Sequence, residues 1–382
     1  MRISSQIKLA VALSLSGCAF LQVESNFTAK STPLKIAVLY DETSMDVKCA
    51  ISREIAIRGH AVENVKVEFL RYESSASSID RLMKKVKKES FEAVVGPILS
   101  SDAHLSARSL ATSDIVQILP IATEPKIYHQ FPDVIPMLPS ASQYAKLLGT
   151  RISKEKKFEN IIIYYNDSVD YSISYKNLLT NQLLKDGYLG KIISIKTSEL
   201  STIAIKGGPF SSASKTFIYA PVYAVDLSRL FFMVKNLEGQ FEIFTHAGIY
   251  EAQPLIQRHM ESRIDVTFNG IWDKSNSSNP TRFFSQTSRD RCGPIHIKPW
   301  SYAVWESILL VSEAHKNHPQ LRGRDLSLAI KSQKFSGILG RWTLNEQGFP
   351  KRNLAVYRLT KDGSNLAHVI KHDSSPYNDR AD

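Results

Sequence analysis

Cysteine is scarce in this chain. Cys18, Cys49 and Cys292 are the only three in 382 residues, too few and too far apart for the disulfide frameworks of small secreted domains. No histidine or second cysteine stands at ligand spacing from Cys49 or Cys292, so no metal site is expected. Acidic residues are short as well: 37 Asp and Glu face 48 Lys and Arg, a formal charge of +11. The basic residues are scattered, apart from Lys84-Lys85 and Lys87-Lys88. Ile79, Leu82, Met83 and Val86 form an apolar stripe through the same segment, which leaves those lysines as the solvated face of a helix. No nucleic-acid motif accompanies them, and attraction to an anionic envelope surface is the use that remains for the charge. Catalytic signatures are missing too. There is no Gly-x-Ser-x-Gly elbow, no phosphate-cradling glycine loop and no paired carboxylates with a partner acid. Asp167 and Asp170 flank a turn and suit a helix cap, and His315 and His318 suit a solvated helix face. The chain is therefore expected to be no enzyme and to carry no cofactor.

What is present begins at the first residues. Arg2 and Lys8 precede a short apolar run, Leu9 to Leu15, which ends in Leu15-Ser16-Gly17-Cys18. A basic start, a short apolar core and small residues before a cut site make an export signal, too short to span a bilayer. Leu-Ser-Gly-Cys resembles the bacterial lipobox, which implies acylation of Cys18 and a lipid anchor in the membrane. Residues 1–18 are thus expected to be the leader, and 19–33, rich in Ser, Thr and Asn, a flexible tether. In an oxidising compartment Cys49 and Cys292 can pair. Their distance in sequence leaves that open.

Eight short apolar, β-branched runs read as strands: 34–40, 65–70, 92–96 and 115–119, then 161–165, 191–196, 216–220 and 241–245. Near-continuous apolar character suits strands covered on both faces. Helix-period segments lie between most of them, around 46–58, 77–89, 102–112, 172–186 and 226–237. The midpoints of the second four follow those of the first by about 126, 126, 124 and 126 residues, the mark of a duplicated α/β unit. A further strand is expected at 264–272, an apolar helix at 300–315, and a hairpin across 337–359 turning at Asn345-Glu346-Gln347-Gly348. The resulting expectation is α/β, with two Rossmann-like lobes, each on a parallel sheet, joined by a multi-crossover hinge. One lobe takes 34–142 plus about 264–330 and the other 143–263 plus about 331–370. Residues 371–382 are left as a tail.

One stretch raises a question of chemistry. In 94–108, VVGPILSSDAHLSAR, an apolar strand runs through Gly-Pro into Ser100, Ser101 and Asp102, and a helix follows. Those three residues are good caps. An open helix N-terminus, by contrast, offers oriented N–H donors to an anion.

The order of elements from about 34 to 360 resembles the type I periplasmic binding proteins, in particular the leucine/isoleucine/valine-binding branch of ABC importers. The stretch VVGPILSSDAHLSARSLATSDIVQILPIATEP is similar to that branch's Gly, Ser-Ser, helix, strand, Pro-x-Ala-Thr. YYNDSVDYSISYKNLLTNQLLKDGY is similar to its second-lobe opening, and GILGRWTLNEQGFPKRNLAVYRL to its closing hairpin. The resemblance implies a small-molecule ligand. Its carboxylate would meet Ser100, with Ser101 beside it, and Thr123, with the Ile121 backbone near. Tyr171 and Tyr223 would close from the other lobe. All lie just beyond predicted strand C-termini, where open α/β sheets bind ligands. Family members that bind amino acids carry an acid after the fourth strand of the second lobe. Here FTHAGIYEAQP places Ala247 there, with Glu251 a few residues on, so either Glu251 meets the ligand's ammonium or the ligand lacks that group. Two roles follow: the lipid-anchored solute receptor of an importer, working with a permease, or a sensing or scaffold lipoprotein of the same fold, such as an activator of peptidoglycan synthases. Neither involves nucleic acid.

Overall fold

Five strands, β1 (Leu34–Tyr40), β2 (Val65–Arg71), β3 (Ala93–Val95), β4 (Val116–Leu119) and β5 (Ile135–Pro136), form one parallel sheet in the order β2-β1-β3-β4-β5. The computed structural model describes residues 32–370 except 156–157, 201–214, 247, 271–291, 293–297, 299, 338–339, 347 and 353. Cys18 and the leader lie outside the described residues, as do Ala247 and the 371–382 tail. The connections are right for a parallel sheet, because each return to the same edge needs a crossover helix. These are α1 (Met45–Arg58), α2 (Ala76–Lys88), α3 (Ser100–Leu110) and the short α4 (Pro125–Gln130). In α2 the stripe of Ile79, Leu82, Met83 and Val86 is buried, and it sets the lysines outward.

Helix α5 (Ala141–Glu155) carries the chain to the second lobe, where Tyr144, Leu148 and Ile152 pack against a new core. There β6 (Asn160–Tyr165), α6 (Asp170–Lys185), β7 (Lys191–Lys196), β8 (Thr216–Ala220), α7 (Ala224–Lys235), β9 (Phe241–Thr245), α8 (Ile249–Arg258) and β10 (Ile264–Gly270) follow in turn. With β13 (Leu354–Thr360) and β14 (Gly363–Ile370) added at one edge, the sheet order is β14-β13-β10-β9-β8-β6-β7. All eight strands of the duplicated pattern are present in parallel sheets.

The boundaries differ from the sequence expectation in two places. Residues 264–270 belong to the second lobe, not the first, since β10 pairs parallel with β9 from Ile264↔Phe241 to Phe268↔Thr245. The compact β9-α8-β10 unit returns to its own sheet, as such units do. Conversely, 331–342 belongs with the first lobe. After α9 (Trp300–Asn317) and α10 (Gly323–Ser332), the small ladder of β11 (Phe335–Gly337) and β12 (Gly340–Trp342) buries Phe335 and Trp342 in the core of β1, β3 and α9. The expected 337–359 hairpin is likewise not one hairpin. Asn345 closes a tight turn, with Gly348 N–H donating to its carbonyl at 3.0 Å and Phe349 N–H to its side chain at 2.9 Å. The arms stay paired as far as Thr343 and Lys351, whose N–H donates to the Thr343 carbonyl at 2.9 Å, and part beyond. The first arm pairs with β11, and the second becomes β13 (Leu354–Thr360), antiparallel to β10 and to β14 (Gly363–Ile370). Each arm follows its own apolar face to a different core.

The chain therefore crosses between lobes three times: β5 to α5, β10 to α9, and β12 to β13. The second crossing is pinned twice to α1. Asp46 is buried and accepts from Lys298 N–H at 2.9 Å, Ser301 Oγ at 2.9 Å and Trp300 Nε1 at 3.2 Å. One turn on, Cys49 is bonded to Cys292 across 243 residues, with Cα atoms 6.0 Å apart. Burial lifts the Asp46 carboxyl above the usual range, opposed by these donors. Helix α9 is buried almost all round, so His315 is buried within it instead of solvated. Among the described residues, no helix is long and apolar enough to cross a membrane.

Candidate ligand-binding cleft

The path from β3 to α3 is built to leave a helix end open. Gly96 holds φ at +107°, and a Cβ there would sit 3.2 Å from Leu39 Cβ, so only glycine fits this turn comfortably. Its peptide bond to Pro97 is cis. Buried Gln117 of β4 fixes the turn, donating to the Gly96 carbonyl at 3.0 Å and to Ser106 Oγ of α3 at 2.7 Å. The N-cap of α3 is then Leu99, which has no side-chain capping bond. Ser100 and Ser101 start the helix proper, and neither caps it. Ser100 faces the cleft. Ser101, 100° further round the helix, is exposed, and its hydroxyl donates to Asp102 at 3.5 Å. Asp102 is buried and receives Ser74 Oγ on both oxygens at 2.9 Å. Burial raises its pKa, and the Ser74 bond opposes the rise.

Ser100, Ile121, Thr123, Tyr171, Tyr223 and Glu251 line one cavity of about 270 Å³, and Ser101 does not. The cavity lies at the C-terminal ends of β3, β4, β6, β8 and β9. Thr123 is buried, and its Oγ1 is 2.9 Å from the Tyr175 hydroxyl of α6, a direct bond from one lobe to the other. Tyr171 and Tyr175 are one turn apart on α6, with ring centroids 4.8 Å apart. Tyr223 stacks on Tyr171 at 5.9 Å and 10° between planes. Burial pushes the Tyr223 and Tyr144 hydroxyls up to about 12 and those of Tyr171 and Tyr175 well above their ordinary value. These phenols remain neutral hydrogen-bonding groups.

Three further helices present their starts here. The N-caps of α6, α7 and α8 are Val169, Tyr223 and Gly248, and none makes a side-chain capping bond. Gly248 allows the start of α8 to press against the β8–α7 loop, since a Cβ would meet the Val222 carbonyl at 2.4 Å. Tyr171, Tyr223, Ala224 and Gly248 all border the cavity. Four helix N-termini thus surround one space, a field that favours negative charge. Glu251 stands on the rim, exposed, with Lys298 Nζ at 3.1 Å. Lys298 in turn lies over the Trp300 ring at 4.5 Å.

Sequence reading missed Tyr144, Tyr175, His246, Asn269 and Trp300, which also line the cavity. Tyr175 had a signal, four residues after Tyr171 on the same helix face. His246 had one as well, as the residue directly beyond β9; the sequence reading placed the functional position one residue later, at Ala247. His246 is buried, with Nε2 2.7 Å from the Tyr219 hydroxyl.

No family model matches the chain, and no curated protein matches it in sequence. Its likeness is to solved structures. A leucine-binding protein of Thermotoga maritima superposes with a TM-score of 0.72 at 16% identity, covering 88% of this chain and 99% of that one. A branched-chain amino acid transporter substrate-binding protein of Streptococcus pneumoniae, solved with isoleucine, gives 0.71 at 14%, covering 89% and 100%. An ABC-transporter solute-binding protein of R. palustris, solved with benzoate, gives 0.69 at 13%, covering 89% and 96%. The fold of this chain is the two-lobe, type I periplasmic binding protein fold of these leucine-binding and related substrate-binding proteins.

Proposed function

We propose that the chain is an exported solute receptor. It closes its two lobes on a small carboxylate, an amino acid or a related acid or amide, and presents it to the permease of an ABC importer. Acylation of Cys18 would hold it at the cell envelope. The observation that carries the reading is the cavity between the lobes. It is large enough for a small metabolite, walled by aromatic rings and faced by four helix starts that no side chain caps. Apolar walls with a few convergent polar groups are the usual make-up of a ligand site. Proteins of similar fold are solved in complex with leucine, isoleucine and benzoate, which supports the carboxylate class. The carboxylate belongs at Ser100, whose hydroxyl has no partner among the described residues, with Thr123 next to it. The rings of Tyr171 and Tyr223 belong over the rest of the ligand.

The test is isothermal calorimetry of the full mature chain against a panel of small carboxylates, with mass spectrometry of the exported form for the lipid on Cys18. Saturable binding of at least one carboxylate supports the receptor. No heat from any of them, with the protein folded, removes the receptor and leaves the sensing or scaffold role.

A further inference from the structure

The second-lobe wall of the cavity contains two buried polar atoms that the protein leaves without partners. His246 stands directly beyond β9, beside Asn269 of β10, because the β9–β10 register pairs Thr245 with Phe268 one step earlier. The two side chains are 3% and 7% exposed, and both line the cavity. Among the described residues, no partner lies in hydrogen-bonding geometry to Nδ1 of His246 or Oδ1 of Asn269, although the Asn269 side chain is near enough to the imidazole to favour its protonated form. A buried polar atom left unpaired costs about 1–3 kcal/mol, so a pair of them facing an enclosed space points to a ligand.

The proton positions follow from the neighbours. The buried Tyr219 hydroxyl lies 2.7 Å from His246 Nε2. With the phenol as the donor in that bond, the neutral imidazole carries its own proton on Nδ1. Burial holds the imidazole neutral by pushing its pKa down to about 3, against the pull of the Asn269 side chain. The wall thus offers one N–H donor and, next to it, one carbonyl acceptor, both uncharged. Among the described residues, the one carboxylate bordering the cavity is that of Glu251, on the rim and bound to Lys298.

We infer that His246 and Asn269 select a carboxylate whose second polar group is an uncharged donor and acceptor, a hydroxyl or a carboxamide, over the same molecule bearing an ammonium. A hydroxyl can accept from Nδ1–H and donate to Oδ1 at once. An ammonium has three donors and no acceptor, so it leaves Nδ1–H unpaired and brings a buried positive charge with no carboxylate to meet it. This inference rests on the receptor reading above and narrows it to 2-hydroxy acids and similar deaminated acids.

Matched pairs that differ only in that group test it: phenyllactate against phenylalanine, and 2-hydroxyisocaproate against leucine, titrated into the wild-type protein. The hydroxy acid of at least one pair is expected to bind about tenfold or more tighter than its amino acid. Asn269→Leu, with an unchanged melting temperature as control, is expected to reduce that preference to about threefold or less. His246→Gln keeps a donor and an acceptor and is expected to retain most of it. An amino acid that binds as well as its hydroxy acid, or better, overturns the inference and leaves the receptor standing. A preference that survives Asn269→Leu undiminished overturns the assignment to these residues. Silence from both members of both pairs and from the whole carboxylate panel overturns receptor and inference together.

Discussion

The two lobes meet the cavity with different chemistry. The first brings a helix start, the small hydroxyls of Ser100 and Thr123, aliphatic Ile121 and a single ring, Trp300, with Gln117 fixing the β3–α3 turn from beneath. The second brings rings: Tyr171, Tyr175, Tyr223 and His246, stacked or tilted on one another at 4.5–6.4 Å between centroids. A charge is best held by short groups in fixed positions, which lose little freedom on binding. Shape is best sorted by wide rings, which carry much area with few torsions. The lobes differ in support as well. The first is closed by a disulfide and by the Asp46 anchor, whereas the second holds together through its seven-stranded sheet and the cores on its two faces.

Cutting the disulfide should separate the lobes most. Cys292→Ser is expected to destabilise the first lobe by about 2–5 kcal/mol. Hydrogen exchange should rise in β1, β3 and α1 and stay unchanged in β8 and β9; a uniform rise would mean that the lobes unfold as one. Acid should act in the opposite place. His246 falls from an ordinary 6.5 to about 3 in the fold, so its neutral form contributes stability that is complete above 6.5. That contribution shrinks by about 1.4 kcal/mol per pH unit between 6.5 and 3, as the unfolded chain takes up the proton first. Asp102 and Glu124, raised by burial, act the other way below their own raised values. Thermal melts from pH 7 to 4 should therefore show wild type losing stability faster than His246→Gln.

A smaller effect is expected at the bond between the lobes. Thr123→Val and Tyr175→Phe, taken singly and together, should show a coupling of about 1 kcal/mol in ligand affinity. Simple additivity would mean that the 2.9 Å contact does not hold the closed form. The smallest change belongs to the rim. Glu251→Gln should move stability by no more than about 0.5 kcal/mol, since its pair with Lys298 is half-exposed. A large loss of affinity for an amino acid in that variant would show that Glu251 receives an ammonium after all.

Strands were readable because a parallel sheet covered on both faces demands unbroken apolar runs, and IIIYY or TFIYA can do little else. Which sheet a strand joins was not readable. Nothing within Ile264–Gly270 distinguishes the two lobes; the short return from β9 through α8 decides it. The turn at Asn345 was legible from its residues, yet the fate of its arms depended on Trp342 and Tyr357 finding separate cores. At the site, errors of one residue mattered. Ser100 and Ser101 are neighbours in sequence and face different ways on a helix, and at the end of β9 it is His246, one residue before the expected position, that borders the cavity. The open end of α3 could not be inferred from three good capping residues, because the helix starts at Ser100 and makes Leu99 the cap.

The crossings between lobes also order the chain in time as it leaves the ribosome. The first lobe begins first, yet its core lacks Trp300, Trp305 and Trp342 until the far side of the second lobe has emerged. Cys49 likewise waits for Cys292. Strands β6 to β10 already hold the parallel part of the second sheet while β1, β3 and α1 still present a bare apolar face. The lobe that carries the Ser100 and Thr123 side of the cavity is thus the one left unfinished longest.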